Sequence, residues 1–471
     1  MMSADNSDYV TSYQLLDGQY SVPKLRLLRL VNFVLCVTII LLLFVLLFSI
    51  RPRESSYCLC PGPGSRCFWP FERPNPLVLI SMDGFRHDYL DMVRRRLGPN
   101  ALPNFARLES LGVRANRSIN VFPTVTLPNH QTLITGLYPQ HHGIVANTVL
   151  DTRWPDAILD MDNQTSLNLG PWLIDWPEPI WVTLQRAGGL SGSLLWPLTD
   201  QPIAQDLPFQ QVSEYTLLDS GSVRYPYQKR VQDILWWLNN PRYRLDLILA
   251  YFDEPDETGH AYGPLSPQVA QKVVELDGVL GQLLNGLEER QMLDKVDIIL
   301  TADHGMASTP KDRLIYIDDY VDPSLYTSTH LSTSGLLYPL PGKESEVYQK
   351  LRNANEHLKV YKLSEVPADL FFNQTNSRMP AIVLIPDPHW SIVHNKNESV
   401  GVTTTVVSWD EAEEVMDGTL MFDRPEYMRE HPITESDDET GLSPPTFRRP
   451  SKQKAKADDS LLSGGSLGDQ K

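Results

Sequence analysis

The chain has 471 residues, enough for one large globular domain with appendages, and its 58 acidic against 41 basic side chains leave a net charge of −17. That balance excludes a nucleic-acid duplex as the main partner, because duplex binding depends on Lys and Arg neutralising phosphates. Part of the excess is local: between Trp409 and Glu439 acidic residues far outnumber Arg424 and Arg429, so net charge says little about a catalytic surface.

Residues 1–29 are polar and are expected to form a cytoplasmic tail. Residues 30–50 then run without a charge and are nearly all Leu, Val, Ile and Phe. At about 1.5 Å per residue such a segment crosses the roughly 30 Å hydrocarbon core of a bilayer. A buried core helix normally keeps a polar face, and this stretch has none. A cleaved leader is disfavoured by the length of the run and by the absence of a small-x-small site after it. Lys24, Arg26 and Arg29 lie before the span and Arg51 and Arg53 after it, a weak bias towards a cytoplasmic N-terminus. Four N-x-S/T triplets, at Asn116, Asn163, Asn373 and Asn397, all follow the span. Together they place the body on the extracellular or lumenal side as a single-pass type II membrane protein.

Residues 51–74 form a Pro/Gly-rich stalk carrying Cys58, Cys60 and Cys67, while the fourth cysteine, Cys36, lies in the span. Three stalk thiols in an oxidising compartment leave two arrangements open: a disulfide-linked dimer, or a Cys58–Cys67 loop with one spare thiol. The domain that follows has no cysteine, so its core and any bound metal must hold it.

From about Pro76 short apolar runs alternate with amphipathic stretches. Leu77–Met82, Leu245–Tyr251 and Asp297–Thr301 have the length and composition of buried strands. Gln228–Leu238 and Ser266–Glu288 have helical periodicity, the latter with Val269, Val273, Leu276 and Leu280 on one face. The alternation predicts an α/β sandwich with a mostly parallel sheet, in which ligands bind beyond the carboxyl ends of the strands. Residues 401–471 lose this periodicity and are expected to be an acidic, disordered tail.

The polar residues fall where that rule directs attention. The first strand ends in Asp83-Gly84, and Asp83 alone could be either a metal ligand or a helix cap. Phe122–His130 holds Thr126 between Pro123 and Pro128, just before a predicted helix start at 129–134. A hydroxyl there sits where backbone N–H groups favour an anion, although a helix N-cap is the plainer reading. The second strand leads into Asp256 and His260, four residues apart with Gly259 between them, so both can face one ion. The third leads into Asp303-His304. Two Asp–His pairs plus Asp83, with oxygen and nitrogen donors and no thiolate, suit zinc hydrolysis, and a two-zinc pair can activate a nucleophile and steady a leaving oxygen.

At these residues the chain resembles the nucleotide pyrophosphatase/phosphodiesterase family of the alkaline phosphatase superfamily. The resemblance rests on LISMDGFRHDYL, FPTVTLPNHQTLITGLYPQHHGIVAN, EPIWVTLQRAGG, EPDETGHAYGP and TADHGM, in family order. It implies an alkaline-phosphatase-like three-layer α/β/α sandwich with a mostly parallel sheet, here preceded by one transmembrane helix, with the phosphodiesterase domain at 75–400. It implies one zinc at Asp83, Thr126, Asp303 and His304, and a second at Asp256, His260 and a later histidine. Thr126 is then the nucleophile, forming a covalent phospho-threonine, and Asn147 donates to the phosphate. The implied reaction is hydrolysis of extracellular nucleotide phosphodiester or pyrophosphate bonds to nucleoside monophosphates.

Two departures from the family pattern stand out. The Gly/Asp-x-His-Gly-Tyr/Phe-Asp segment that supplies the last histidine is missing, and His389, His394 and His431 lack its context. The second zinc is therefore expected to be weakened, and the C-terminal part of the domain to be incomplete. In addition, Leu127 stands where nucleotide-cleaving members place a base-stacking Phe, while Trp196 and Asp200 match a pocket segment. Two alternatives accordingly accompany the nucleotide hydrolase: a truncated or inactive member acting as a binding protein, and a phospholipid phosphodiesterase.

Overall fold

The computed structural model describes residues 74–154, 158–160, 176–200, 207–212, 225–396 and 420–423. The expected tail, span and stalk, together with Asn163, Asn397 and most of 401–471, lie outside the described residues. Among the described residues no helix is long and apolar enough to cross a membrane.

In chain order β1 (Leu77–Met82) is followed by α1 (Tyr89–Leu97), α2 (Pro103–Leu111) and β2 (Gly112–Arg114). Next come α3 (Thr126–Thr135), α4 (Pro139–His142), the β3 (Thr148–Leu150) and β4 (Ile158–Asp160) hairpin, and α5 (Ile180–Arg186). β5 (Ser191–Leu194), β6 (Gln210–Val212), α6 (Tyr227–Leu238), β7 (Leu247–Phe252), α7 (Asp256–Tyr262), α8 (Pro267–Glu289) and β8 (Asp297–Thr301) complete the central layer.

The main sheet runs β2-β15-β8-β1-β7-β5-β6, where β15 is Leu420–Asp423. β1 is parallel to both β7 and β8, and β7, β5 and β6 continue the parallel run. The apolar run of β1 follows from its position, since its side chains enter cores on both faces. Val78, Ile80 and Met82 join one cluster with Ile248, Ala250 and Phe252 of β7 and the buried faces of α1, α2, α6 and α8. Leu77 and Leu79 join Leu247 and Leu249 in another, against Ile134 of α3 and Trp181 and Val182 of α5. The period-2 alternation of a strand thus produces the expected α/β/α layering.

A second sheet, antiparallel and ordered β10-β11-β13-β12, is built from Tyr326–Leu331, Gly335–Pro339, Ile382–Pro386 and Leu358–Lys362. One face covers a cluster containing Phe122, Leu127, Ile144 and Val145, so the segment that carries Thr126 is packed by this sheet. The other face packs on helix α9 (Glu344–Leu351), and β9 (Leu314–Tyr316) pairs in parallel with β14 (Ser391–Val393).

Several boundaries differ from the sequence expectation, among them that of α3, which begins at Thr126 rather than Asn129. β7 runs Leu247–Phe252 rather than Leu245–Tyr251, and Asp246 just ahead of it donates to the Leu190 carbonyl and accepts from the Leu77 N–H. More substantially, Leu420–Asp423 form a strand antiparallel to β8 and β2, within the stretch expected to be disordered. Three consecutive apolar residues, Leu420-Met421-Phe422, stand out there from an otherwise acidic run.

Candidate metal and catalytic centre

Three adjacent parallel strands deliver the site. β1 leads to Asp83, β8 leads to Asp303 and His304, and β7 leads to Asp256 at the first residue of α7. The Asp83 N–H donates to the Phe252 carbonyl at 2.8 Å, and the Asp256 N–H donates to the Asp83 carbonyl at 3.1 Å. Asp83 is not a helix cap, since Asp88 holds that position on α1. Its side chain is spent elsewhere.

Asp83, Asp303 and His304 are all buried and offer ligand atoms within 4.8 Å of one another. His304 Nε2 lies 3.3 Å from Asp83 Oδ1 and 3.4 Å from Asp303 Oδ2. Its Nδ1 donates to the Gly305 carbonyl at 2.9 Å, since the carbonyl can only accept, and Nε2 is the nitrogen turned to the carboxylates. Asp303 Oδ1 accepts from the N–H groups of Gly84 (3.2 Å) and His304 (2.9 Å). Asp83 Oδ2 accepts from the Tyr251 hydroxyl at 2.5 Å. Asp83 Oδ1 and Asp303 Oδ2 are left buried without a hydrogen-bond donor.

Two carboxylates share this buried space, and the electrostatics record the conflict. Burial and the Asp256 charge push the Asp303 carboxyl up to about 8. Burial, with Asp303 and Asp256 nearby, raises Asp83 well above the ordinary carboxylate range. Asp256 is half-buried, which would raise its pKa, but the hydrogen bond and charge of His260 outweigh that and hold it low. Unpaired buried carboxylate oxygens beside an imidazole nitrogen fit a divalent cation that accepts oxygen and nitrogen donors.

Thr126 is the first residue of α3, behind Val125 in the N-cap position, so its hydroxyl is not used as a cap. Thr126 Oγ1 lies 3.4 Å from His304 Nε2, which brings all four expected residues of the first metal site together. His130, one turn along α3, donates from Nδ1 to the Thr126 carbonyl at 2.8 Å and lies 3.4 Å from Asp303 Oδ2. Burial lowers its pKa to about 3, keeping it neutral. Asn147 Oδ1 accepts from the Leu127 N–H at 2.9 Å. A backbone donor fixes the amide orientation, leaving the Asn147 NH2 free to serve as a donor on its other side.

Asp256 and His260 form a pair, with Oδ2 and Nε2 3.2 Å apart, and the imidazole is 45% exposed. Among the described residues no third His, Cys, Asp or Glu joins them at metal-ligand spacing. Leu127 is buried in the cluster with Phe122 and Ile144. Trp196 is buried with its ring edge-on to His130 at 5.0 Å, and Asp200 is half-buried. Asn116 is exposed and Asn373 half-buried.

Tyr251 and His130 are the site residues that sequence reasoning missed. The signal for Tyr251 was its odd position on β7, shared with Leu247 and Leu249, which directs it to the α3 face. For His130 it was the spacing of four from Thr126 on a helix.

Residues 77–417 match the family described as type I phosphodiesterase / nucleotide pyrophosphatase. The chain is similar to ectonucleotide pyrophosphatase/phosphodiesterase family member 5 of Homo sapiens, 34% identical over 322 residues covering 68% of this chain and 64% of the relative. It is 34% identical over 326 residues to bis(5'-adenosyl)-triphosphatase ENPP4 of Homo sapiens, covering 69% and 67%. It is 32% identical over 356 residues to the venom phosphodiesterase of Naja atra, covering 73% and 41%. The chain thus spans about two thirds or less of the length of these curated relatives. A solved structure of murine ENPP5, an inactive threonine-to-alanine variant in complex with AMP, superposes with a TM-score of 0.66 at 32% identity, covering 74% of this chain and 88% of the other.

Proposed function

Because the chain belongs to the type I phosphodiesterase / nucleotide pyrophosphatase family, we propose that it is a zinc-dependent hydrolase of nucleotide phosphodiester or pyrophosphate bonds, releasing nucleoside monophosphates. The observation that carries this reading is the meeting of Thr126 with Asp83, Asp303 and His304, where two buried carboxylate oxygens lack a donor. Asp83, Asp303, His304 and Thr126 would hold one zinc, and Asp256 and His260 would contribute to a second, weaker site. Zinc bound there lowers the pKa of hydroxyl and water oxygens and so supplies nucleophiles at neutral pH.

The rest of the chemistry belongs to side chains of this chain. Thr126 Oγ1 gives up its proton to water and forms a bond to phosphorus as the bond to the leaving oxygen breaks, giving a phospho-threonine that still carries the nucleoside, while the leaving group departs and takes up a proton. The Asn147 amide, oriented by the Leu127 N–H, donates to the phosphoryl oxygen where charge develops. Water then cleaves the Oγ1–phosphorus bond and restores the Thr126 hydroxyl. His130 anchors the Thr126 carbonyl and so fixes the first turn of α3.

The domain is anchored by residues 30–50, with its body outside the cytoplasm and glycosylated at Asn116, Asn163, Asn373 and Asn397. The uncharged run and the position of every sequon after it support this. A nucleotide is favoured over a phospholipid by the relatives named for adenosyl and nucleotide substrates. The same relatives favour an enzyme over a binding protein. The test is hydrolysis of a nitrophenyl nucleotide ester by the full chain and its Thr126→Ala variant. Turnover confined to the unaltered protein supports the reading, and equal rates would remove Thr126 as nucleophile.

A further inference from the structure

We propose that Tyr251 is a positioning residue for the metal centre, its hydroxyl holding Asp83 Oδ2 so that Oδ1 is the oxygen presented to the ion. The inference rests on the metal reading above. A carboxylate has two equivalent oxygens and a nearly free terminal torsion, so a ligand carboxylate needs something to choose its rotation. Here the Tyr251 hydroxyl donates to one oxygen at 2.5 Å. The other oxygen has no donor and lies 3.3 Å from His304 Nε2.

Tyr251 is itself held on several sides. Parallel pairing sets it opposite Ser81, two residues before Asp83. Its ring meets His130 edge-on at 5.1 Å. The buried Arg230 guanidinium donates from Nη1 to the Tyr251 carbonyl at 2.8 Å, pairs through Nη2 with Asp253 at 2.8 Å, and lies over the Phe252 ring. The end of β7 is therefore clamped on the α6 side while the phenol reaches across the sheet to the end of β1. Such a rigid donor keeps Asp83 ready for the ion with little left to order on binding.

The test is a zinc titration, by competition with a chelating dye, of the metal-stripped full chain and its Tyr251→Phe variant. Tyr338→Phe serves as the comparison, since Tyr338 is another buried tyrosine whose hydroxyl donates to a backbone carbonyl, that of Arg378, at 2.8 Å. Both variants lose one buried hydroxyl bond, and their melting temperatures report that loss. The expected result is a zinc Kd raised about tenfold or more in Tyr251→Phe and unchanged in Tyr338→Phe. An unchanged Kd in Tyr251→Phe, or an equal rise in both variants, would overturn the inference. Failure of the unaltered chain to bind zinc would overturn the metal reading and this inference with it.

Discussion

A Cβ placed on Gly84 would lie 2.8 Å from Asp256 Oδ1 and 3.0 Å from the Asp256 Cα. The bare backbone of residue 84 is what allows the end of β7 to close onto the end of β1. Its φ of +63° is also one that an L side chain adopts only at a cost of roughly 1–2 kcal/mol. Gly84→Ala is therefore expected to lower the melting temperature. It should also push Asp256 away from Asp83 and cut hydrolysis more than the stability loss explains. A variant with unchanged turnover, measured well below its melting temperature, would contradict this account.

Metal binding should be unequal and pH-dependent. Asp83, Asp303 and His304 are buried and converge, whereas His260 is half exposed and shares no third ligand with Asp256 among the described residues. Metal analysis of the pure protein should give one tightly held zinc and a second lost on dialysis. Two tightly held zincs would contradict it. In the metal-free protein Asp303 titrates near 8, so below that pH an incoming cation must displace its proton. Affinity should therefore weaken as pH falls, by about tenfold per unit for each proton displaced.

If Asn147, whose Oδ1 accepts from the Leu127 N–H, donates to the phosphoryl oxygen as proposed, Asn147→Ala should lower kcat with a smaller change in KM. A loss of about 10²–10³-fold is expected from oxyanion-donor deletions elsewhere. Steady-state kinetics on the nitrophenyl nucleotide ester would show it. A rise in KM alone would recast Asn147 as a ground-state binding residue.

Acid should destabilise the domain through histidines outside the metal centre. Burial lowers His142 to about 3 and His330 to about 4, against about 6.5 for an exposed imidazole. Both are neutral when folded and take up protons on unfolding, so their contribution is present above pH 6.5 and shrinks as pH falls towards 4. The slope is about 1.4 kcal/mol per pH unit for each group in that window. Denaturant melts of His142→Gln between pH 7 and 4 should show a shallower loss than the unaltered protein.

Much of this centre was legible in the sequence because it sits at strand ends. β1 and β8 have the bounds their apolar runs imply, and α8 begins where Ser266 accepts the Val269 N–H as a cap. Asp83, Asp303 and His304 follow those strands closely, so locating the strands located the buried cluster. Tyr251 was hidden for the opposite reason. Inside a fully buried run a tyrosine looks like core, and only the register of β7 against β1 reveals that its hydroxyl meets Asp83. The strand Leu420–Asp423 was hidden because four residues in an acidic stretch carry almost no periodicity, and its pairing with β8 spans more than a hundred residues.

The most direct measurement of the central claim is mass spectrometry of the protein quenched with acid during turnover of a nitrophenyl nucleotide ester with zinc present. A nucleotidyl adduct confined to the peptide containing Thr126, absent from Thr126→Ala and from unreacted protein, is the predicted result. Turnover without any adduct, together with an active Thr126→Ala variant, would contradict it.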